Sequence, residues 1–241
     1  MSLYNDLAIR HFLTSQLRRV ADSHRGIVLD LGCGDQPYRA LYAHLFRKVI
    51  TSDFELRSAV DVQLDSSAIP FADESFDVVL MTEVIEHVPD SVRTLKEVSR
   101  ILKSGGILLI TWPFLHPLHE IPHDYTRLTE FGMQHLAEQA GLRIEALERR
   151  GDVFCVGGTI VEHFASSLLV LASRVPVIGR LLGPVQSIFE SALRALWKLY
   201  LRHADYARRL HPPHAGDHLK GVVDHLSLWT SGYCARAVKI T

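Results

Sequence analysis

The sequence of 241 residues predicts an α/β fold with a doubly wound, mainly parallel sheet covered by helices on both faces. Three observations carry that expectation. Short apolar runs at 27–31, 76–81 and 107–111 have the composition of strands buried on both sides. Segments of helical period stand between them, so that strand and helix alternate along the first 150 residues. The composition, 47% hydrophobic and 22% charged, suits a globular chain with one large core, or one core and a subdomain.

Each element has a local reason. Residues 1–24 form an amphipathic N-terminal helix with Leu7, Phe12, Leu17 and Val20 among its apolar positions, stopped by Gly26. Strand 27–31 follows, then a helix from near Pro37 and a strand over 48–52. After strand 76–81, a helix is expected over 90–103, capped by Asp90 or Ser91 and closed by Gly105-Gly106. Strand 107–111, helix 129–140 stopped by Gly141, and strand 142–148 complete the core of 25–150. Residues 151–230 differ. They are rich in Leu, Val and Ala, broken by Pro176, Gly179, Gly183 and Pro184, and read as a helical insertion of two or three short helices over 157–202. Strand character returns in 231–241, which is expected to rejoin the sheet.

Composition also excludes function classes. With 26 basic and 27 acidic side chains the chain lacks the field of a protein that grips long nucleic acid. Cys33, Cys155 and Cys234 show no CxxC spacing, which argues against a disulfide framework or zinc knuckle and fits a reducing compartment. The N-terminus does not read as a signal peptide, and no stretch reaches the ~20 apolar residues of a membrane span. The expectation is a cytoplasmic protein, with association at the inner membrane face left open.

The most informative stretch is Val28-Leu29-Asp30-Leu31-Gly32-Cys33-Gly34, a buried strand running into GxG and a helix. Glycines there let a ligand approach the backbone at the carboxyl end of the first strand. The next strand ends at Asp53, about 20 residues on, where a carboxylate can accept from both ribose hydroxyls. The third Gly of a dinucleotide fingerprint is replaced by Asp35-Gln36-Pro37-Tyr38, which favours a nucleoside over a pyrophosphate ligand.

These residues resemble the first motif of class I S-adenosylmethionine-dependent methyltransferases, and two later passages resemble the same family. One is Asp65-Ser66-Ser67-Ala68-Ile69-Pro70-Phe71 with Asp73-Glu74-Ser75-Phe76-Asp77-Val78-Val79; the other is Leu102-Lys103-Ser104-Gly105-Gly106-Ile107-Leu108. The resemblance covers about residues 26–150 and the terminal strand, and implies a seven-stranded Rossmann-like sheet. It implies that Asp30, Gly32 and Gly34 line the methionine end of S-adenosylmethionine, that Asp53 binds the ribose, and that Asp65 with Ser66 sits at the adenine edge. Asp61 competes with Asp65 for that last assignment. Short-chain dehydrogenases share the sheet but need Tyr and Lys four residues apart, and none of the 7 tyrosines has Lys at that position.

Glu83, Glu86 and His87 follow the fourth strand at i, i+3 and i+4, and share a face if the segment makes a helical turn. A His-rich loop, 113–127, opens at the carboxyl end of the next strand. The pattern Glu-x-x-Glu-His with a later His resembles the metal-dependent ubiquinone-pathway O-methyltransferases and small-RNA 2′-O-methyltransferases. By that resemblance Glu83, Glu86, His87 and His123 hold a divalent metal such as Mg²⁺. His87 is the first candidate for the catalytic base and His123 the second, while His116 and His119 read as substrate-loop or surface residues.

In the insertion, Leu193, Leu196, Trp197, Tyr200 and Leu201 form an apolar stripe beside Arg194, Lys198 and Arg202. That pattern suits an interfacial helix, so peripheral membrane contact through 157–210 is one expectation and packing on the domain or on a second subunit is the other. The PHDYTRLT loop and the helical insertion resemble type-11 methyltransferases of bacterial glycan and natural-product pathways. The expected activity is O-methylation of a small-molecule, glycan or lipid-linked acceptor. A cofactor-binding pseudoenzyme acting as a partner subunit and an RNA 2′-O-methyltransferase are the alternatives; oligomeric state is open.

Overall fold

The structure, a computed structural model, describes residues 3–55, 59–173, 188, 191–192, 195–196, 198–199 and 230–240. It holds two compact units, one of residues 1–9 with 150–231 and one of residues 10–149 with 232–241.

The second unit carries a seven-stranded sheet in the order β3-β2-β1-β4-β5-β7-β6. The strands are β1 (Ile27–Leu31), β2 (Lys48–Asp53), β3 (Val62–Gln63), β4 (Phe76–Thr82), β5 (Leu102–Pro113), β6 (Leu142–Arg150) and β7 (Gly232–Lys239). The ladders from β3 through β5 are parallel, and β7 enters antiparallel beside β5. This is the doubly wound, mainly parallel sheet expected from the sequence, with the last strand between β5 and β6.

Strand side chains alternate between the two faces, and both sets are buried. Leu29, Leu31, Val79, Met81, Leu108 and Ile110 share a core with Leu95, Val98 and Ile101 of α3 (Ser91–Ile101) and Met133 and Ala137 of α4 (Glu130–Gln139). Each fully buried Leu or Ile there contributes about 2 kcal/mol relative to exposure. The alternate residues Val28, Val78, Leu80 and Leu109 are equally buried on the opposite face. Helix α1 (Leu3–Ser23) serves that face, where Arg19, Val20 and Ser23 share a cleft with Ile107 and Val238.

Two boundaries differ from the sequence reading. Helix α3 ends at Ile101 rather than 103, because Leu102 turns extended and pairs with Phe76. The left-handed Gly105 (φ 72°) then sits inside β5 rather than after the helix, and the register shifts between Phe76 and Val78. The helix after Pro37 is a single turn, α2 (Arg39–Tyr42). Caps are as the residues dictate: Asp90 accepts from the Arg93 amide at 2.9 Å and Thr129 from the Gly132 amide at 3.0 Å.

In the first unit, α5 (Val153–Ser173) is one 21-residue helix where short helices beginning near 157 were expected. It starts earlier because Asp152 Oδ1 accepts from the Cys155 amide at 3.2 Å. The Arg150 carbonyl accepts from Thr230 Oγ1 and Ser231 Oγ, at 2.9 and 3.0 Å, and Ser231 Oγ also lies 2.8 Å from Asn5 Oδ1. Most of the stripe expected at 193–202 lies outside the described residues. No described helix is long and apolar enough to cross a membrane. Cys33, Cys155 and Cys234 are buried, and none of them is in a disulfide.

Candidate functional site

The carboxyl ends of β1, β2 and β4 frame a cavity of about 510 Å³. A parallel sheet opens such a crevice where its strand order reverses, here between β1 and β4. Gly32, Gly34, Asp53, Asp65 and Ser66 line it together with Glu83, His87, Glu120, His123 and Tyr125.

The glycine loop is shaped by its backbone. The Gly32 and Cys33 amides both donate to the Ser52 carbonyl, at 2.8 and 2.9 Å, which fastens the turn to the end of β2. Gly32 has φ 70°, and a Cβ there would lie 2.4 Å from Val84 Cγ2. Gly34 has φ 51°, with nothing within 4 Å of where its Cβ would be. Gly34 therefore bares its backbone to the cavity, a cradle that a side chain would fill.

Asp53 is held from two directions. Its Oδ2 accepts from the Gly34 amide at 2.8 Å and its Oδ1 from the Glu55 amide at 3.0 Å. Each oxygen keeps a lone pair for a ligand hydroxyl. Asp65 accepts from the Ser67 amide at 2.8 Å, and that bond holds its carboxyl below the usual range. Asp61, its competitor, is committed elsewhere: its Oδ2 accepts from the Thr51 amide and hydroxyl at 2.8 and 2.9 Å. Asp65, not Asp61, lines the cavity.

Asp30 is placed differently from the expectation. It points to the face opposite Leu29 and Leu31, is 5% exposed, and does not line the cavity. Strand alternation is the reason, since Asp30 lies one residue out of phase with Leu31, which does line it. Tyr42, from the end of α2, donates its hydroxyl to Asp30 Oδ2. Burial pushes the Asp30 carboxyl up to about 6, against the lowering effect of the Tyr42 bond.

The acidic cluster also departs from the expected set. Ile85–His87 forms one 3-10 turn, but Glu83 precedes it in a left-handed conformation (φ 54°). Glu83 Oε1 thus turns to accept from Thr111 Oγ1 at 2.8 Å, while Glu86 is 1% exposed beneath the turn. His123 Nδ1 lies 3.1 Å from the Tyr125 hydroxyl. The four residues Glu83, Glu86, His87 and His123 therefore do not converge. Among the described residues, the set whose ligand atoms all fall within 4.8 Å is Glu86, His87 and His119.

His87 has a defined orientation. Its Nδ1 lies 2.6 Å from the His123 carbonyl, an acceptor only, so Nδ1 carries the hydrogen and the neutral ring presents its lone pair at Nε2. His119, read from sequence as a loop residue, packs edge-on against His87 with ring centroids 4.8 Å apart. Its amide donates to Asp124 Oδ2 at 3.0 Å. Asp124 is 2% exposed and takes a bidentate bond from Arg127, at 2.5 and 2.7 Å, which holds its carboxyl far below the usual range. Burial, with the neighbouring His87, lowers the His119 pKa. Sequence reasoning missed His119, Asp124 and Arg127 as a unit. The available signal was an acid and an arginine three residues apart inside the His-rich loop.

Comparison with known proteins bears on the family. Residues 29–110 match the family model described as a methyltransferase domain. A Mycolicibacterium smegmatis protein named a probable S-adenosylmethionine-dependent methyltransferase is 31% identical over 139 residues, 49% of this chain and 52% of that one. A ubiquinone biosynthesis O-methyltransferase of Cereibacter sphaeroides is 28% identical over 53% of this chain and 63% of its own. A ubiquinone/menaquinone biosynthesis C-methyltransferase of Pseudoalteromonas translucida is 42% identical over 25% of this chain and 24% of its own. The chain thus spans about half the length of the first of these relatives.

Proposed function

Residues 29–110 of this chain form a methyltransferase domain of the class I S-adenosylmethionine-dependent family, and from that premise we propose that the protein methylates a hydroxyl of a small-molecule, glycan or lipid-linked acceptor. The observation that carries the proposal is that one cavity is lined by both Asp53 with the glycine loop and His87.

S-adenosylmethionine, when bound, supplies an electrophilic methyl on a sulfonium and needs no further activation. The residues present fit it. Gly34 leaves room at the backbone, Asp53 retains a lone pair on each oxygen for the ribose, and Asp65 with Ser66 lines the same cavity. The chain's contribution is alignment and exclusion of water, which together supply most of what an in-line displacement requires. Gly34, Asp53, Asp65 and Ser66 would hold the cofactor, which would supply the methyl, and His87 Nε2 would take the proton of the attacking hydroxyl. Because Nδ1–H is tied to the His123 carbonyl, His87 offers that lone pair without first having to turn. A divalent ion beside His87 suits the same chemistry, since it lowers the pKa of a hydroxyl it touches. Phe54 and Tyr125, 72% and 47% exposed, give the cavity an aromatic rim for the acceptor.

The test is calorimetric titration of S-adenosylhomocysteine, then transfer of labelled methyl to an acceptor panel with the product linkage determined. Saturable binding and an O-linked product are expected, with His87→Ala lowering kcat about 100-fold or more and leaving cofactor affinity within a few-fold. A folded protein that binds no S-adenosylhomocysteine would overturn the reading, and a C-linked product would remove the hydroxyl acceptor.

A further inference from the structure

We propose that Glu86, His87 and His119 form a binding site for a first-row transition-metal dication, with two imidazoles and one carboxylate as ligands. The inference deepens the functional reading, because His87 lines the same cavity and its Nε2 lone pair, offered to the acceptor proton in the ion-free protein, passes to the ion when one binds; the site is measured without cofactor or acceptor.

The ligand atoms are already gathered. Glu86 Oε1 lies 3.6 Å from His87 Nε2 and 3.8 Å from His119 Nε2. Donors sharing one ion at about 2.1 Å stand roughly 3 Å apart, so less than 1 Å of contraction closes each of these two pairs, and all three ligand atoms lie within 4.8 Å of one another. The rings are also oriented as metal-bound imidazoles are, with the second nitrogen held by an outer acceptor. His87 Nδ1 is fixed on the His123 carbonyl at 2.6 Å. His119 Nδ1 lies 3.3 Å from the Pro117 carbonyl, its hydrogen-bond acceptor, and equally far from Asp124 Oδ2, a carboxylate that Arg127 clamps in turn. Both Nε2 atoms thus lie within 4 Å of one carboxylate oxygen, a spacing into which a cation fits.

Donor chemistry selects the ion. Two imidazoles favour iron, cobalt, nickel or zinc over Mg²⁺, which prefers an all-oxygen shell. Glu120 Oε2, 3.8 Å from His87 Nε2 and 72% exposed, is free to swing as a fourth donor or to give way to an acceptor oxygen. The site departs from the set suggested by the sequence in two ways. His119 replaces His123, and Glu83 is spent on Thr111.

The test titrates Co²⁺, chosen for its visible spectrum, into the full chain stripped of metal, followed by absorbance and calorimetry. Saturable one-to-one binding is expected, undisturbed by millimolar Mg²⁺ and lost in His119→Ala. His123→Ala, Glu83→Gln and the exposed control His135→Ala should bind as the wild type does, while Asp124→Asn weakens binding about 10–100-fold. Circular dichroism and S-adenosylhomocysteine titration on each variant establish that the fold and the cofactor site survive, so the metal site and the methyltransferase reading can each fail alone. Absence of one-to-one binding in the wild type overturns the proposal. So does loss in His123→Ala with retention in His119→Ala, or equal displacement of Co²⁺ by Mg²⁺.

Discussion

The amide of Gly34 donates to Asp53 Oδ2 at 2.8 Å, so the loop that would approach the ligand and the carboxylate that would bind its ribose form one unit. Asp53→Ala removes a ligand contact and also releases the Gly34 and Glu55 amides. The expected result is a roughly 10–100-fold loss of S-adenosylhomocysteine affinity, as for charged hydrogen bonds worth 1.5–3 kcal/mol, read by calorimetry.

The two glycines of the loop should separate stability from binding. Gly32→Ala sets a methyl against Val84 Cγ2 in a left-handed backbone, whereas Gly34→Ala meets open space. Gly34→Ala is expected to cost only about 1–2 kcal/mol of stability, the left-handed penalty, yet to weaken S-adenosylhomocysteine binding by at least tenfold. Gly32→Ala should lower Tm further, because the clash adds to that penalty. Thermal melts paired with binding titrations distinguish the two.

Asp30 gives stability an unusual pH dependence. Its folded pKa, about 6, lies above the unfolded carboxyl value of 3.8, so the folded state holds the proton more tightly. The neutral form therefore favours folding below the unfolded value, and the advantage is lost as pH rises through about 6. Asp30→Asn should gain stability relative to wild type between pH 4 and 6, by about 3 kcal/mol at pH 7, and stay level above that. Denaturant titrations at pH 4, 6 and 8 measure it; a gain independent of pH would refute the assignment.

Arg127→Ala leaves the buried Asp124 carboxylate without its bidentate partner, at a cost of about 3 kcal/mol near neutrality. Because Asp124 is depressed in the folded protein, the stabilisation is present above the ordinary carboxyl pKa and fades as pH falls through the lower folded value. The difference in Tm between wild type and variant should accordingly shrink on moving from pH 7 to pH 3.

Much of this was legible in the residues. Composition located β1, β4 and the centre of β5 because strands buried on both faces read as unbroken apolar runs, and the GxG loop with Asp53 appeared where strand ends dictate. What the sequence could not give was side-chain direction over irregular backbone. Glu83 and Glu86 share a face in an ideal helix, but a single left-handed residue before the turn sends one to Thr111 and the other inward. The choice between His119 and His123 was likewise hidden, since it depends on how the 113–128 loop folds around Asp124 and Arg127. Asp30 shows a third limit: a motif places a residue on a strand, and only the pleat decides which side of the sheet receives it.

The insertion of β7 between β5 and β6 has a consequence for biosynthesis. β6 reaches the sheet only through a strand that the ribosome makes some eighty residues later. Until residues 232–239 emerge, one side of β5 offers an unpaired edge from Ile107 to Trp112, apolar and ready to pair with another chain. Assembly of the sheet is therefore completed late, and a nascent chain stalled before Gly232 should be prone to aggregate or to require a chaperone, although its first five strands can already pair.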